Sequence, residues 1–330
     1  MRIVFFGSPE YAVPSLRACL VLPGAEVIAV VTQPDRPRGR SRAALMTPVK
    51  QLAVEAGVPV VLQPERVRRD TTEVLAALRP DVGVVAASGH ILPTHLLDAF
   101  PHQVVNVHAS LLPRHRGASP VSAAILEGDA ESGASIMLVV RELDAGPVIA
   151  RRATPIGPLD TTGVLTDRIA HLGAALLADT LPHWVAGELT AQPQDDAQVT
   201  YAPRLTKDDG LIDWSRSADE IARAVRAYHP WPLAQTTRPL PDGSPEPLAI
   251  LEAWPLEGAS TAAPGTVEAG DGTSLSDVLP GRRARAVVAC GSGRLALLSL
   301  QRSGRKALPI EDYLNGDRAL IGSRFGPPAP

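Results

Sequence analysis

Residues 71–107 read TTEVLAALRPDVGVVAASGHILPTHLLDAFPHQVVNV. The stretch opens as a helix over 71–79 and continues into two apolar runs, 82–87 (VGVVAA) and 103–107 (QVVNV). Neither run alternates polar with apolar residues, so both faces of each strand need cover. Strands of that kind belong to parallel sheets flanked by helices. The pattern extends outward in both directions. Residues 2–6 (RIVFF, ended by Gly7) and 26–32 (EVIAVVT) are further strands, and 11–20 and 46–57 further helices. Runs at 134–140 and 147–153 add two strands. A long helix follows over 160–187, with Val164, Leu165, Ile169, Leu172, Leu176 and Leu177 at helical spacing. The expectation is an α/β domain over 1–187 built on a parallel sheet.

After it the pattern changes. Residues 188–207 are polar and aperiodic, as a linker is. Residues 217–228 form a helix with Ser217 as N-cap and acidic residues in its first turn. From 246 onward short β-rich runs alternate with Gly/Pro/Asp turns (PLAILEAW, GTVEA, ARAVVAC, RLALLSL), which predicts a small antiparallel barrel over 208–330.

Composition narrows the function. The chain has 330 residues, 45% hydrophobic and 20% charged, which is globular rather than disordered. No apolar run approaches the roughly 18 residues that span a bilayer. Cys19 and Cys290 are the only cysteines, in no metal-type spacing, so a disulfide framework and a thiolate zinc site are disfavoured and a reducing cytoplasm is the expected compartment. A net charge of −3 excludes a globally basic coat but not a local basic patch. Only three of the 32 basic residues are Lys. No G-x-G-x-x-G follows the first strand, where the chain reads GSPEYA, and this disfavours a dinucleotide enzyme.

The residues with most chemistry lie in 104–120, VVNVHASLLPRHRGASP. Asn106 and His108 are two apart on a strand, so both project from one face. They sit at its carboxyl end, where open α/β sheets bind ligands. A second segment, RELDAG (141–146), places Asp144 in a Gly-containing turn between strands. A carboxamide, an imidazole and a carboxylate suit acyl transfer: the amide donates to a developing oxyanion, the imidazole moves a proton, and the carboxylate orients the imidazole. From pattern alone, Asp144 could equally be a turn residue and Asn106 a strand-end cap. Arg36, Arg38, Arg40 and Arg42 fall within one Pro/Gly-rich loop, which suits phosphate contact or an ordinary solvated loop. Arg282, Arg283 and Arg285 form a second basic cluster, and Arg302, Arg305 and Lys306 a third.

NVHASLLPRHRGASPV strongly resembles the signature of the 10-formyltetrahydrofolate-dependent formyltransferases, and the segment ending LDAG resembles the second family segment. MRIVFFGSPEYAVPSL, VVTQPDRPRGR, PDVGVVAASGHILP and, in the second half, TYAPRLTKDDGLIDWSRSADEIARAVRAYHPWPLAQT follow in family order. The resemblance covers nearly the whole chain, and its second half is that of the tRNA-directed branch. It implies a Rossmann-like catalytic domain followed by an OB-like one, with 10-formyltetrahydrofolate as formyl donor and initiator methionyl-tRNA as acceptor. Asn106, His108 and Asp144 fall on the family's catalytic positions. Ser110, Leu111, Leu112 and Pro113 fall on its folate-contacting loop, and Ile91 and Leu92 beside its pterin site. Arg40 falls on an arginine used at the acceptor end of the tRNA. No metal is expected, and a monomer is.

Several positions depart from the family pattern. Ala109 replaces a Gly, His115 a common Trp, and Ser88 a frequent Tyr. The loop after Arg40 lacks two usual lysines, and 269–286 is longer, as an inserted hairpin tip would be. Two other classes share part of these features. One is a formyltransferase acting on an amino sugar or nucleotide-linked amine, the other a non-enzymatic ligand-binding module.

Overall fold

A computed structural model describes residues 1–37, 44–240, 242–258, 260–275 and 278–326. The chain divides into two compact units. The first comprises 1–120, 131–155 and 166–203, and the second 121–130, 156–165 and 204–330. The stretch expected to be a linker therefore divides, with 188–203 contributing to the first unit.

Among its described residues the first unit holds eleven strands: β1 Arg2–Gly7, β2 Glu26–Val31, β3 Arg36–Pro37, β4 Ala44–Leu45, β5 Val60–Leu62, β6 Val82–Ala86, β7 Val104–His108, β8 Arg116–Gly117, β9 Glu131–Leu138, β10 Val148–Pro155 and β11 Tyr201–Ala202. Seven form one sheet in the order β10-β9-β7-β6-β1-β2-β5. Between them run helices α1 Val13–Val21, α2 Pro48–Glu55, α3 Arg69–Ala77 and α4 Thr94–Leu97. Helix α5 Pro120–Glu127 precedes β9, and α6 Thr162–Val185 follows β10.

β1 lies near the middle, paired in parallel with β2 and β6. Ile3, Val4, Phe5 and Phe6 are all fully buried. Both faces of β1 are covered, which is why its sequence does not alternate. The next layer of the core is formed by Phe6, Ile28, Val31, Leu75, Leu96 and Phe100, with Phe6 and Phe100 edge to face at 6.2 Å between centroids.

The sheet is not parallel throughout. β9 runs antiparallel to β7, and β10 antiparallel to β9. Only nine residues separate β9 from β10, too few for a crossover helix, so the connection is a hairpin. That hairpin turn carries Asp144. The sequence runs at 134–140 and 147–153 are therefore strands of opposite direction, a difference that apolar content does not encode.

The second unit contains β12 Ala234–Pro239, β13 Pro245–Leu256, β14 Val267–Ala269, β15 Ala286–Ala289, β16 Arg294–Arg302 and β17 Ala307–Pro309, with helices α7 Ala218–Ala227 and α8 Ile310–Gly316. Its antiparallel sheet has the order β12-β13-β16-β15-β14, with β17 on β16. Single bridges join Gly326 to Thr237 and Arg324 to Thr266. α7 starts with a full capping box, Ser217 and Glu220 each bonding the other's backbone amide. It buries Ile221, Ala222 and Val225 with Trp214, Ile250, Leu297 and Phe325. Side-chain bonds attach segments 121–130 and 156–165 to α7. Arg223 Nε donates to Leu126 O at 3.0 Å, Arg226 Nη1 to Asp160 O at 3.0 Å, and Thr162 Oγ1 to Ala227 O at 2.6 Å. In the 269–286 stretch, Leu275 packs with Ala284, and with Val287, Ala296 and Leu298 beyond it. No helix among the described residues is long and apolar enough to cross a membrane.

Cys19 and Cys290 are both buried, and burial pushes each thiol up to about 12. Thiolate is the reactive form. A thiol reagent at pH 7.5 is expected to modify neither cysteine in the native protein and both in denaturant. Rapid modification of either under native conditions would contradict these environments.

Candidate active site

Strand direction brings the site together. β1, β2, β6 and β7 all end on the same edge of the sheet, so Gly7, Val31, Ala86 and His108 lie along one rim. The rim is fixed by hydroxyls. Thr32 Oγ1 donates to Ser8 Oγ at 3.2 Å, and Ser8 Oγ donates to Ser88 O at 3.1 Å. Gln33 N donates to Ser8 Oγ at 3.0 Å. Ser88 is thus buried as part of the rim.

His90 pins the following turn. Its Nε2 lies 2.9 Å from Pro64 O. A carbonyl only accepts, so Nε2 carries the proton, and Nδ1 accepts from Ser88 Oγ at 3.2 Å. Two residues on, Leu92 packs into the core while Ile91 is 91% exposed. An isoleucine that open offers apolar surface to a ligand on the rim.

β7 presents the central pair. Asn106 is half-buried, and its carboxamide bonds no other described residue. His108 is 6% exposed and lies in register opposite Ser135 of β9. Its Nε2 is 3.0 Å from His115 O and therefore donates to it. Its Nδ1 faces Asp144 Oδ2 at 3.7 Å, too long for a hydrogen bond but within ion-pair range once the ring is protonated. Both ring nitrogens thus look at acceptors. Asp144 is held in turn, because Gly117 N donates to the same Oδ2 at 2.9 Å.

The backbone needed for this is demanding. Asp144 has φ +50°, a left-handed conformation that Asp tolerates better than most residues. At Gly146 an added Cβ would stand 1.8 Å from Leu138 O. At Gly117, with φ +121°, it would stand 2.5 Å from Ala202 O, the carbonyl across the β8–β11 pairing. Glycine is required at both positions.

The 110–113 loop is locked from below. Ser135 Oγ donates to Ser110 O at 2.6 Å and accepts from Leu112 N at 3.1 Å. Ser110 Oγ donates to Arg114 O at 2.7 Å, and Arg151 Nε to Leu112 O at 2.6 Å. Ser110 is fully buried, and Leu112 is buried with Met137 and Val148. These two side chains are pegs, while Leu111 and Pro113 are half-exposed. His115, with φ +58°, is 3% exposed and contributes its carbonyl to His108. Ser135, Arg151, Gln194 and the His115 carbonyl had no signal in the sequence pattern, since backbone groups and long-range partners carry no local motif.

The basic loop divides. Arg36 is exposed on β3 and pairs with Glu65 at 3.5 Å. Arg38, Arg40 and Arg42 lie outside the described residues. The base of the loop is clamped where Lys50 Nζ bonds Asp35 and Gln63, and Gln63 Nε2 bonds Asp35 Oδ1 at 2.6 Å. The hydrogen bond from Lys50 holds the Asp35 carboxyl below its usual range. In the second unit, Arg302 departs from the basic cluster read in the sequence. It bonds Glu246 at 2.9 Å and also Asp317, and stacks on Tyr313 at 4.7 Å. It shares Asp317 with the buried Arg238, so its guanidinium is committed within the fold. Arg282 pairs with Glu252 at 2.9 Å.

A doubly covered α/β sheet whose carboxyl rim offers an amide donor, a fixed imidazole and a carboxylate defines a group-transfer enzyme of the acyl type. The chain belongs to the formyl transferase family: the model of the formyl transferase family matches residues 1–181, and that of the formyl transferase C-terminal domain matches 204–318. Methionyl-tRNA formyltransferase of Methylococcus capsulatus is 46% identical over 327 residues, covering 99% of this chain and 100% of that protein. The protein of that name in a Roseiflexus species is 45% identical over 329 residues, covering 99% and 95%. Among solved structures, an N-formyltransferase from Helicobacter canadensis in complex with folinic acid and dTDP-3-aminofucose superposes with a TM-score of 0.63 at 15% identity, covering 91% of this chain and 98% of that one. That similarity concerns the fold.

Gly146→Ala forces the Asp144 turn open without altering the side chains of Asp144, His108 and Asn106 themselves. A displacement near 1 Å costs on the order of 10²-fold in rate. The variant is expected to fold, by circular dichroism and melting, and to lose formyl transfer by about that factor. Retention of full activity would remove the turn geometry from the catalytic account.

Proposed function

We propose that this protein transfers the formyl group of 10-formyltetrahydrofolate to the α-amine of methionine esterified to initiator tRNA. The observation that carries the reading is end-to-end identity of 45–46% with proteins named methionyl-tRNA formyltransferase, C-terminal half included. An amino-sugar formyltransferase is the alternative, and its support is fold similarity at 15% identity.

In the proposed reaction the amine nitrogen attacks the formyl carbon. A C–N bond forms, the formyl oxygen becomes an oxyanion, and the bond to N10 of the folate breaks. The proton shed by the amine ends on N10. A free α-amine titrates at about 7.7–8.0 and esterification lowers this, so much of it is neutral at pH 7. No metal is needed to generate the nucleophile. The protein's task is orientation and oxyanion stabilisation.

The uncommitted carboxamide of Asn106 donates to the oxyanion. His108 supplies a second N–H and positive charge. To donate directly, its Nε2–H exchanges the His115 carbonyl for the substrate oxygen. Asp144 faces the opposite ring nitrogen, stabilises the protonated imidazole and helps receive the amine proton. Ile91 and Leu92 lie beside the pterin, and the backbone of 110–113 borders it, held by Ser135 and Arg151. The fit to a planar, partly apolar donor rests on the exposed Ile91 at the rim.

Arg36, Arg38, Arg40 and Arg42 contact the acceptor end of the tRNA. The boundaries 1–187, 188–207 and 208–330 are retained as the functional division. The C-terminal part is read as an OB-like barrel that tracks RNA backbone, and the bridges from 324–326 to β12 and next to β14 support closure. The protein acts in the cytoplasm as a monomer.

The test is formylation of methionyl initiator tRNA by the purified chain, with dTDP-linked amino sugar as a competing acceptor. His108→Ala is expected to cut turnover by about 10²–10⁴-fold. Arg40→Ala is expected to raise the tRNA KM and weaken its salt dependence with little change in folate KM. Formylation of the sugar but not the tRNA by folded protein would replace this reading with the alternative.

A further inference from the structure

We infer that Gln194 is a positioning residue for Asp144, so that the segment leading out of the catalytic half completes the catalytic site; the inference rests on the catalytic role proposed above for Asp144.

The side-chain amide of Gln194 reaches back across fifty residues of chain to the hairpin turn. Nε2 donates to Asp144 O at 2.8 Å and to Gly146 O at 2.7 Å. One amide nitrogen has two protons, and each is used. The oxygen of the same side chain accepts from Arg116 Nε at 3.0 Å. Arg116 is buried and reaches Asp196 at 3.5 Å with its other arm. Its neighbour Gly117 is the residue whose N–H holds the Asp144 carboxylate.

Asp144 is therefore gripped at both ends. Gly117 fixes the carboxylate, and Gln194 fixes the peptide that carries it. The second grip matters because Asp144 sits at φ +50°, where an L-residue stays only when its surroundings hold it. Among the described residues no backbone N–H bonds either of the two carbonyls. The segment bearing Gln194 is itself docked at two places. Gln192 and Val148 exchange backbone bonds at 2.8 Å each, and β11 pairs with β8. Arg116 and Gly117 form β8, so one short pairing aligns Gln194, Arg116 and Gly117 around the turn.

The chemistry of the amide is what the site requires. The turn presents two carbonyls, which need donors, and Arg116 needs an acceptor. Glutamine alone among side chains of this length offers both. Glutamate keeps the partner of Arg116 but places a carboxylate against two carbonyl oxygens. The two substitutions therefore separate the two contacts.

The experiment compares Gln194→Ala, Gln194→Glu and Asp144→Asn, singly and combined, in the full-length chain. Melting temperature and folate and tRNA KM are recorded with kcat. Gln194→Ala and Gln194→Glu are both expected to lower kcat by about tenfold, with both KM values and the melting temperature little changed. In the Asp144→Asn background the further loss from Gln194→Ala is expected to shrink below about twofold, as residues acting through one group do. Wild-type kcat in Gln194→Glu would overturn the inference, since the carbonyl bonds would then be dispensable. Equal losses with and without Asp144 would overturn it too, by giving Gln194 a merely structural role. If Asp144→Asn itself retains activity, the catalytic reading of Asp144 fails first and this inference with it.

Discussion

The covering of the central sheet on both faces governs everything else in the catalytic half. With Ile3, Val4, Phe5 and Phe6 all fully buried, β1 has no side on which a polar group could sit in water. Burying an unpaired polar group costs a few kcal/mol. Chemistry is therefore displaced to the ends of the strands, where side chains leave the sheet and the backbone is free to turn. The parallel direction of β1, β2, β6 and β7 then makes one rim of four such ends. The hydroxyl bonds among Ser8, Thr32 and Ser88 satisfy the rim's own polar atoms, and Asn106 and His108 stand at the end of the neighbouring strand.

The large elements were legible in the sequence because the physics that forms them is local. RIVFF, EVIAVVT and VGVVAA announce their two-sided burial by having no polar alternation, and Ser217 with Glu220 announces a helix start three residues apart. The direction of β9 and β10 was not legible, because apolar content is the same whichever way a strand runs. Only the nine-residue spacing held a clue. Of the candidate site, the placement of Asn106 and His108 at the end of one strand and of Asp144 in a turn was legible, while the roles read for them came from the family resemblance. What supports them did not follow. Ser135 meets the 110–113 loop through a cross-strand neighbour, and Gln194 meets Asp144 from fifty residues away. Distances of that kind are set by the fold.

The site divides its labour between side chains and main chain. In the proposed reaction Asn106, His108 and Asp144 supply the reactive groups, while amides and carbonyls of 110–117 and 144–146 supply most of the geometry. Main-chain groups on paired strands lose little freedom on binding, since they are already ordered. The glycines at 117 and 146 are the cost of this arrangement, being the positions where backbones approach too closely for any Cβ. The arginine loop is built in the opposite way. The described residues beside it hold a polar clamp of Asp35, Lys50 and Gln63, and its sequence carries positive charge on long side chains, which suits a large polyanion.

By the family resemblance His115 replaces a common tryptophan, yet the atom it offers His108 is a carbonyl oxygen that all twenty amino acids possess. What holds the imidazole proton is thus indifferent to the letter at that position and sensitive to the path of the chain. Substitutions at 115 can drift without touching the proton, while a change at a silent neighbour that bends the turn would move it. Part of the acid–base apparatus of this enzyme is inherited as a shape, and comparison of side chains alone passes over it.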